Sequence, residues 1–203
     1  MSETKHEAPP IDEGGLRAPP HLKGWRKAWW WFDFIILVKL ARLRFVAVLV
    51  VIGAGIWIKF FEPASEPFKL RLYNLHESLG VIVFALALVR LINRRRHPPP
   101  PLPPGTPAII HFAADMTHMA IYALLLLMPV VGFLATNAWG FPLSVFGVLP
   151  MPVPVGKNEE LAKLLSLLHF SGAIALVMLI GGHLMGVLYH TFVRRDGLLR
   201  RMM

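Results

Sequence analysis

The sequence predicts an all-α integral membrane protein, a four-helix bundle with an additional N-terminal interfacial helix. Three observations carry that expectation. Of the 203 residues, 55% are hydrophobic and the mean hydropathy is +0.55, against the ~45–50% apolar content of an ordinary soluble domain. The apolar residues fall into four long runs, each close to or beyond the roughly 20 residues that a helix needs to cross hydrocarbon. The basic residues behind the net charge of +9 gather at the ends of those runs, as Arg94, Arg95 and Arg96 and again as Arg194, Arg195, Arg200 and Arg201. That is where the positive-inside rule puts them. A nucleic-acid interface, the other common reason for a pI near 10.4, would spread them over one polar face.

The elements follow in order. Residues 1–22 are polar, with two Pro-Pro pairs and a Gly-Gly pair, and predict a disordered cytoplasmic tail. The opening MSETKHEAPP has no apolar core, so no cleaved signal peptide is expected. Residues 23–44 form a Trp-rich segment containing Trp29, Trp30 and Trp31. Its apolar part, Trp25 to Leu40, is too short to span, and Lys39, Arg42 and Arg44 separate it from the next run. It predicts an interfacial helix with an aromatic belt; a docking surface for a partner subunit is the alternative.

The bundle proper is expected over 45–203. Its first helix runs from Phe45 to Phe61 and is stopped by Glu62, Pro63 and Pro67. The second runs from Tyr73 to Ile92. The stretch HPPPPLPPGTP, His97 to Pro107, predicts a stiff polyproline connector. The third helix, Ala108 to Ala135, carries Pro129 inside it, which neighbouring helices can accommodate. An apolar loop rich in Pro and Gly leads to Asn158, and the fourth helix runs from Leu161 to Val193. Arginine-rich segments precede helix one, join helices two and three, and end the chain. Both termini are therefore expected in the cytoplasm, with the loops around Glu66 and Lys157 on the far side.

The chemistry resides in histidines. His76, His118, His169, His183 and His190 fall in or near the spans, and His111 begins the third. A polar side chain in lipid needs a partner or a function; for any single histidine, a hydrogen bond to a neighbouring helix is the ordinary answer. His76 and His169 each sit near the outer end of their helices, at similar depth, as two axial ligands of one haem iron must. Gly80 follows His76 by four residues and Gly172 follows His169 by three, so each glycine shares the face of its histidine and leaves room for a flat macrocycle. His169 and His183 lie 14 residues apart, nearly four turns and about 21 Å along one face. That is the spacing of two stacked haem sites on one helix. Arg90, 14 residues beyond His76, suits a haem propionate or a snorkelling helix end. With no cysteine in the chain, disulfides, Cys-held clusters and covalent haem attachment are excluded.

The stretches NLHESLGVIVFALALVRL, THMAIYALLLLMPVVGFL and LLHFSGAIALVMLIGGHLMGVLYH, with the tail RRDGLLRRMM, resemble the bacterial cytochrome b561 family, within the wider group that includes cytochrome b subunits of membrane-bound hydrogenases and formate dehydrogenases. The resemblance covers Leu70 to Met203. It implies a bacterial inner-membrane bundle with two b haems, the outer one on residues matching His76 and His169. In the family the inner haem pairs a helix-one histidine with a residue matching His183. Here helix one has none: its expected place falls near Leu43 or Arg44, and no histidine occurs between His21 and His76. Counting depth along helix four makes His118 the partner of His183; counting along helix two makes it His111. One haem b is expected, with a second doubtful. The resemblance further implies electron transfer between a periplasmic-side donor, superoxide or a dehydrogenase subunit, and a quinone. The alternative from another class is a structural or accessory subunit of a larger membrane complex.

Overall fold

The computed structural model describes residues 24–61, 65–96 and 108–194, with side chains in the first stretch described at 24, 40 and 42–61. The chain divides into two compact units, Met1–Lys39 and Leu40–Met203. In the first unit the described backbone is helical from Trp25. The expected tail, 1–22, and the side chains of Trp29, Trp30 and Trp31 lie outside the described residues.

The principal elements are α1 (Trp25–Phe60), α2 (Glu66–Arg96), α3 (Ala108–Trp139), β1 (Ser144–Val145), β2 (Leu149–Pro150) and α4 (Glu159–Leu188), which ends in a π-helical turn, Tyr189–Arg194. Among the described residues four helical stretches are long and apolar enough to cross a membrane: Arg42–Phe60, Glu66–Arg96, Ala108–Trp139 and Glu159–Val193. The four-helix membrane architecture is therefore present, but a separate N-terminal helix is not seen. Trp25 to Leu40 belongs to α1 without a break in the backbone. The charges at Lys39, Arg42 and Arg44 mark a change of environment, not of conformation. Lys, Arg, Leu and Ala are all strong helix formers, and neither Gly nor Pro occurs between Trp25 and Gly53.

The second helix begins earlier than its apolar run suggests, at Glu66 instead of Tyr73. Pro67 opens it instead of ending what precedes it: proline is tolerated in a first turn, where its missing N–H has no partner to lose. Glu66 there complements the helix dipole. α4 starts behind Asn158, whose Oδ1 accepts from the Leu161 N–H at 3.0 Å. Pro129 lies inside α3 without ending it.

Within the second unit all four helices contribute to one apolar cluster. Ala47 and Val48 of α1 meet Val83 and Ala87 of α2, Leu125 of α3 and Leu176 of α4. Val83 and Leu176 each lie seven residues from His76 and His169, and Leu125 lies seven from His118. The core is thus a waist between two histidine levels. Large apolar side chains such as Leu127, Met178 and Phe192 remain exposed, the surface that lipid tails solvate.

Candidate functional site

His76 on α2 and His169 on α4 face each other across the bundle, with ring centroids 6.0 Å apart and planes at 75°. A metal–imidazole nitrogen bond of about 2.0–2.1 Å on each side brings two ring centres to roughly this separation. Each ring is held from behind by the helix that precedes its own in the chain. His76 Nδ1 donates to the Val51 carbonyl of α1 at 3.0 Å. His169 Nδ1 donates to the Met128 carbonyl of α3 at 3.1 Å. A carbonyl can only accept, so Nδ1 keeps its proton in both rings and Nε2 keeps its lone pair for a metal. This is the usual device for orienting a histidine ligand.

The rings reach those carbonyls because a glycine stands one turn further on. A Cβ at Gly55, four residues after Val51, would come within 3.1 Å of His76 Cε1. A Cβ at Gly132, four after Met128, would come within 2.8 Å of His169 Cε1 and 3.0 Å of Nδ1. Neither glycine was expected from the sequence to matter. Of the two that were, Gly80 faces open space, with nothing within 4 Å of an added Cβ. Gly172 is different: it lies against the Met128 thioether, so its role is close helix packing.

The same end is closed by the α3–α4 connection. The pair β1–β2 is antiparallel, with Ser144 opposite Pro150 and Val145 opposite Leu149. It lies on α2, where Asn74 Nδ2 donates to the Ser144 carbonyl at 2.7 Å and the Phe146 N–H donates to the Ser78 hydroxyl at 2.7 Å. Ser78 is fully buried. The turn needs left-handed backbone at Phe146 (φ 51°) and Gly147 (φ 71°). Glu77, next to His76, accepts from the Thr136 hydroxyl at 2.9 Å. Lys59 lies over the Phe170 ring at 5.1 Å.

At the Arg-rich end His183 meets His118, with ring centroids 5.2 Å apart at 63°. Of the two partners left open by depth counting, the structure brings His118 to it. This pair differs from the first. It joins α3 and α4, which pack directly against each other, and its rings are closer. His190 stacks edge-on against Tyr189 at 5.8 Å in the terminal π-helical turn.

The residues fit haem at the first pair. The separation suits two ligands on one iron, both Nδ1 atoms are engaged, and open space lies beside Gly80 on the His76 face. Among the described residues no cluster of three or more His, Cys, Asp or Glu is placed to hold a bare metal ion. A two-ligand site suits an iron whose remaining bonds come from a porphyrin.

The chain is similar to known proteins over most of its length. Residues 42–203 match the family model described as prokaryotic cytochrome b561. The chain is 35% identical over 131 residues to cytochrome b561 homolog 2 of Escherichia coli K12, covering 64% of this chain and 69% of that protein. It is 30% identical over 159 residues to the probable superoxide oxidase CybB of Yersinia pestis, covering 78% and 89%. With cytochrome b561 homolog 1 of E. coli K12 it shares 28% identity over 165 residues, covering 79% and 89%.

Proposed function

This chain belongs to the prokaryotic cytochrome b561 family, a membrane b-type cytochrome, and from that premise we propose that it holds one haem b between His76 and His169 and carries electrons from a periplasmic-side donor to a quinone. The observation that carries the reading is the pair of imidazoles 6.0 Å apart, each fixed through Nδ1 by a backbone carbonyl. Haem b, when bound, supplies reversible one-electron chemistry. The protein's part is to present two neutral imidazoles in one tautomer, to bury them among four helices, and to cover them with the β1–β2 hairpin. The Val51 and Met128 carbonyls raise ligand basicity as well as fixing ring orientation.

Two donor classes suit the hairpin end. One is superoxide, by similarity to the Yersinia protein named a probable superoxide oxidase. Two superoxide anions, each losing an electron to become dioxygen, supply the electrons that with two protons turn one quinone into a quinol. The other is a dehydrogenase subunit. The orientation that serves both has the two termini in the cytoplasm of a bacterium and the hairpin in the periplasm, in line with the arginine clusters beyond α2 and α4. His183 enters as a candidate second ligand only with His118, and the tight α3–α4 packing favours one haem. No described feature favours the accessory-subunit reading.

The test is a haem-to-protein ratio on purified protein with a reduced-minus-oxidised spectrum. A ratio of about one, abolished by either His76→Ala or His169→Ala, supports the proposal. Protein without pigment, or a spectrum that survives both substitutions, sinks it.

A further inference from the structure

Where a family member would place its inner haem, this chain gathers cations. Arg90 lies 14 residues beyond His76, His183 lies 14 beyond His169, His118 lies 14 before Gly132, and Arg44 lies 11 before Gly55. Since His76 touches Gly55 and His169 touches Gly132, this arithmetic puts Arg90, His118 and His183 about 21 Å from the first level, and Arg44 about 16 Å from it. Arg44 is within electrostatic reach of Arg90 and Tyr122. Arg94 lies over the Tyr122 ring at 5.6 Å and within electrostatic reach of His118, which meets His183. Arg44 and Arg94 therefore both reach Tyr122, Arg94 also reaches His118, and Arg90 stands beside Arg44.

Among the described residues few anions stand at this level. Asp115, near His118, is exposed. The ion pairs seen among the described residues, Lys69–Glu66 and Lys163–Glu159, lie at the opposite end of the bundle. Arg90 Nε is buried and has no hydrogen-bond partner among the described residues. Cations brought together at low dielectric repel one another, and a buried guanidinium nitrogen without a hydrogen-bond partner is costly. An oxyanion resolves both: it neutralises the cluster and accepts from the planar fork of N–H groups that arginine presents.

We propose that the convergence of Arg44, Arg90 and Arg94 beside His118 and Tyr122 forms an oxyanion-binding site, filled in the membrane by the phosphate of an anionic phospholipid. The lipid source follows from depth. Arg44 stands at the third position of the α1 span, and Arg90 and Arg94 stand in the last turns of the α2 span, at the headgroup level. Basic pockets between spanning helices on a cytoplasmic face hold such headgroups. A haem carboxylate would need a second haem, and the helix-one place for its ligand falls near Leu43 or Arg44.

The experiment uses the purified full chain in detergent with its haem spectrum as the folding control. Phosphatidylglycerol, phosphatidylcholine and inorganic phosphate are titrated in turn, with melting followed at the haem band and bound lipid counted by native mass spectrometry. Phosphatidylglycerol should stay bound and raise the melting temperature, whereas phosphatidylcholine should do neither. Arg44→Gln and Arg90→Gln should each weaken the phosphatidylglycerol response about fivefold with the spectrum unchanged, and Arg90→Lys should restore part of it. If inorganic phosphate alone matches phosphatidylglycerol, the oxyanion site stands and its occupant is the free ion. Equal responses to the two lipids, or responses unchanged in both Gln variants, would overturn the proposal. So would two haems per chain with the second lost in Arg90→Gln, since a propionate would then own the arginines.

Discussion

Val51 and Gly55 of α1 do for His76 what Met128 and Gly132 of α3 do for His169: a carbonyl accepts the Nδ1 proton, and a missing Cβ one turn later lets the ring approach. The two glycines differ in how closely they are met, and this grades the expected outcomes. Gly132→Ala places a methyl 2.8 Å from His169 Cε1, and such overpacking costs about 1–3 kcal/mol. If the ring yields, haem affinity should fall roughly fivefold to a hundredfold, read by titrating haem into protein purified without it. Gly55→Ala, at 3.1 Å, should do the same more weakly. Gly80→Ala tests the cavity instead. Nothing stands within 4 Å of the new methyl, so the melting temperature of haem-free protein should not change, yet haem occupancy should fall if the macrocycle lies on that face. Unchanged occupancy in Gly80→Ala would move the macrocycle elsewhere. The histidines were legible in the sequence because they are costly in lipid and lie at matching depths. Their supports were not. The bonded carbonyls are 25 and 41 residues away, and a carbonyl has no letter in the sequence. Gly172 drew attention by its spacing from His169, but spacing along one helix says nothing of the neighbouring helix, which supplies Met128.

The span-forming parts of the helices were legible because a membrane makes hydropathy and length nearly sufficient. Their ends were not. Hydropathy stops where charge begins, so it missed the first two turns of α2, which Glu66 and Pro67 open, and it separated the Trp-rich segment from a backbone that does not break. The α3–α4 connection was readable only as an apolar loop. Its hairpin depends on contacts to α2 more than 60 residues away in sequence and on the positive φ of Phe146 and Gly147. The Ser78 hydroxyl, fully buried, is the acceptor that holds the turn. Ser78→Ala leaves the Phe146 N–H without it, a loss of about 1–3 kcal/mol if that group stays buried. Amide exchange over 144–150 should then accelerate ahead of exchange in α2 and α3, and the melting temperature should fall. Exchange at that segment equal to the unaltered protein would show that the hairpin is held by its apolar contacts instead.

The two histidine levels are alike in spacing and unlike in construction, and the difference is visible only when all four helices are considered together. At the first, the two proposed ligands come from α2 and α4, and α1 and α3 supply the carbonyls that hold them. At the second, α1 offers Arg44 and α2 offers Arg90, so the two imidazoles that face each other there come from the neighbouring helices α3 and α4. A one-haem protein should therefore titrate as a single wave with a slope near 59 mV, and His118→Ala and His183→Ala should leave its haem content unchanged. Two waves, or loss of half the pigment in either variant, would make the second level a cofactor site. Orientation is a property of the same asymmetry, because arginines crowd one end and the hairpin closes the other. The chain has no cysteine, so any introduced thiol reports alone. Val148→Cys, at a position 84% exposed in the hairpin, should react with a membrane-impermeant maleimide on intact cells. Asp196→Cys, in the Arg-rich tail, should react only after lysis. The reverse pattern would put the arginines outside. The donor side would then have to be sought at the opposite face, even with the first histidine pair and its supports unchanged.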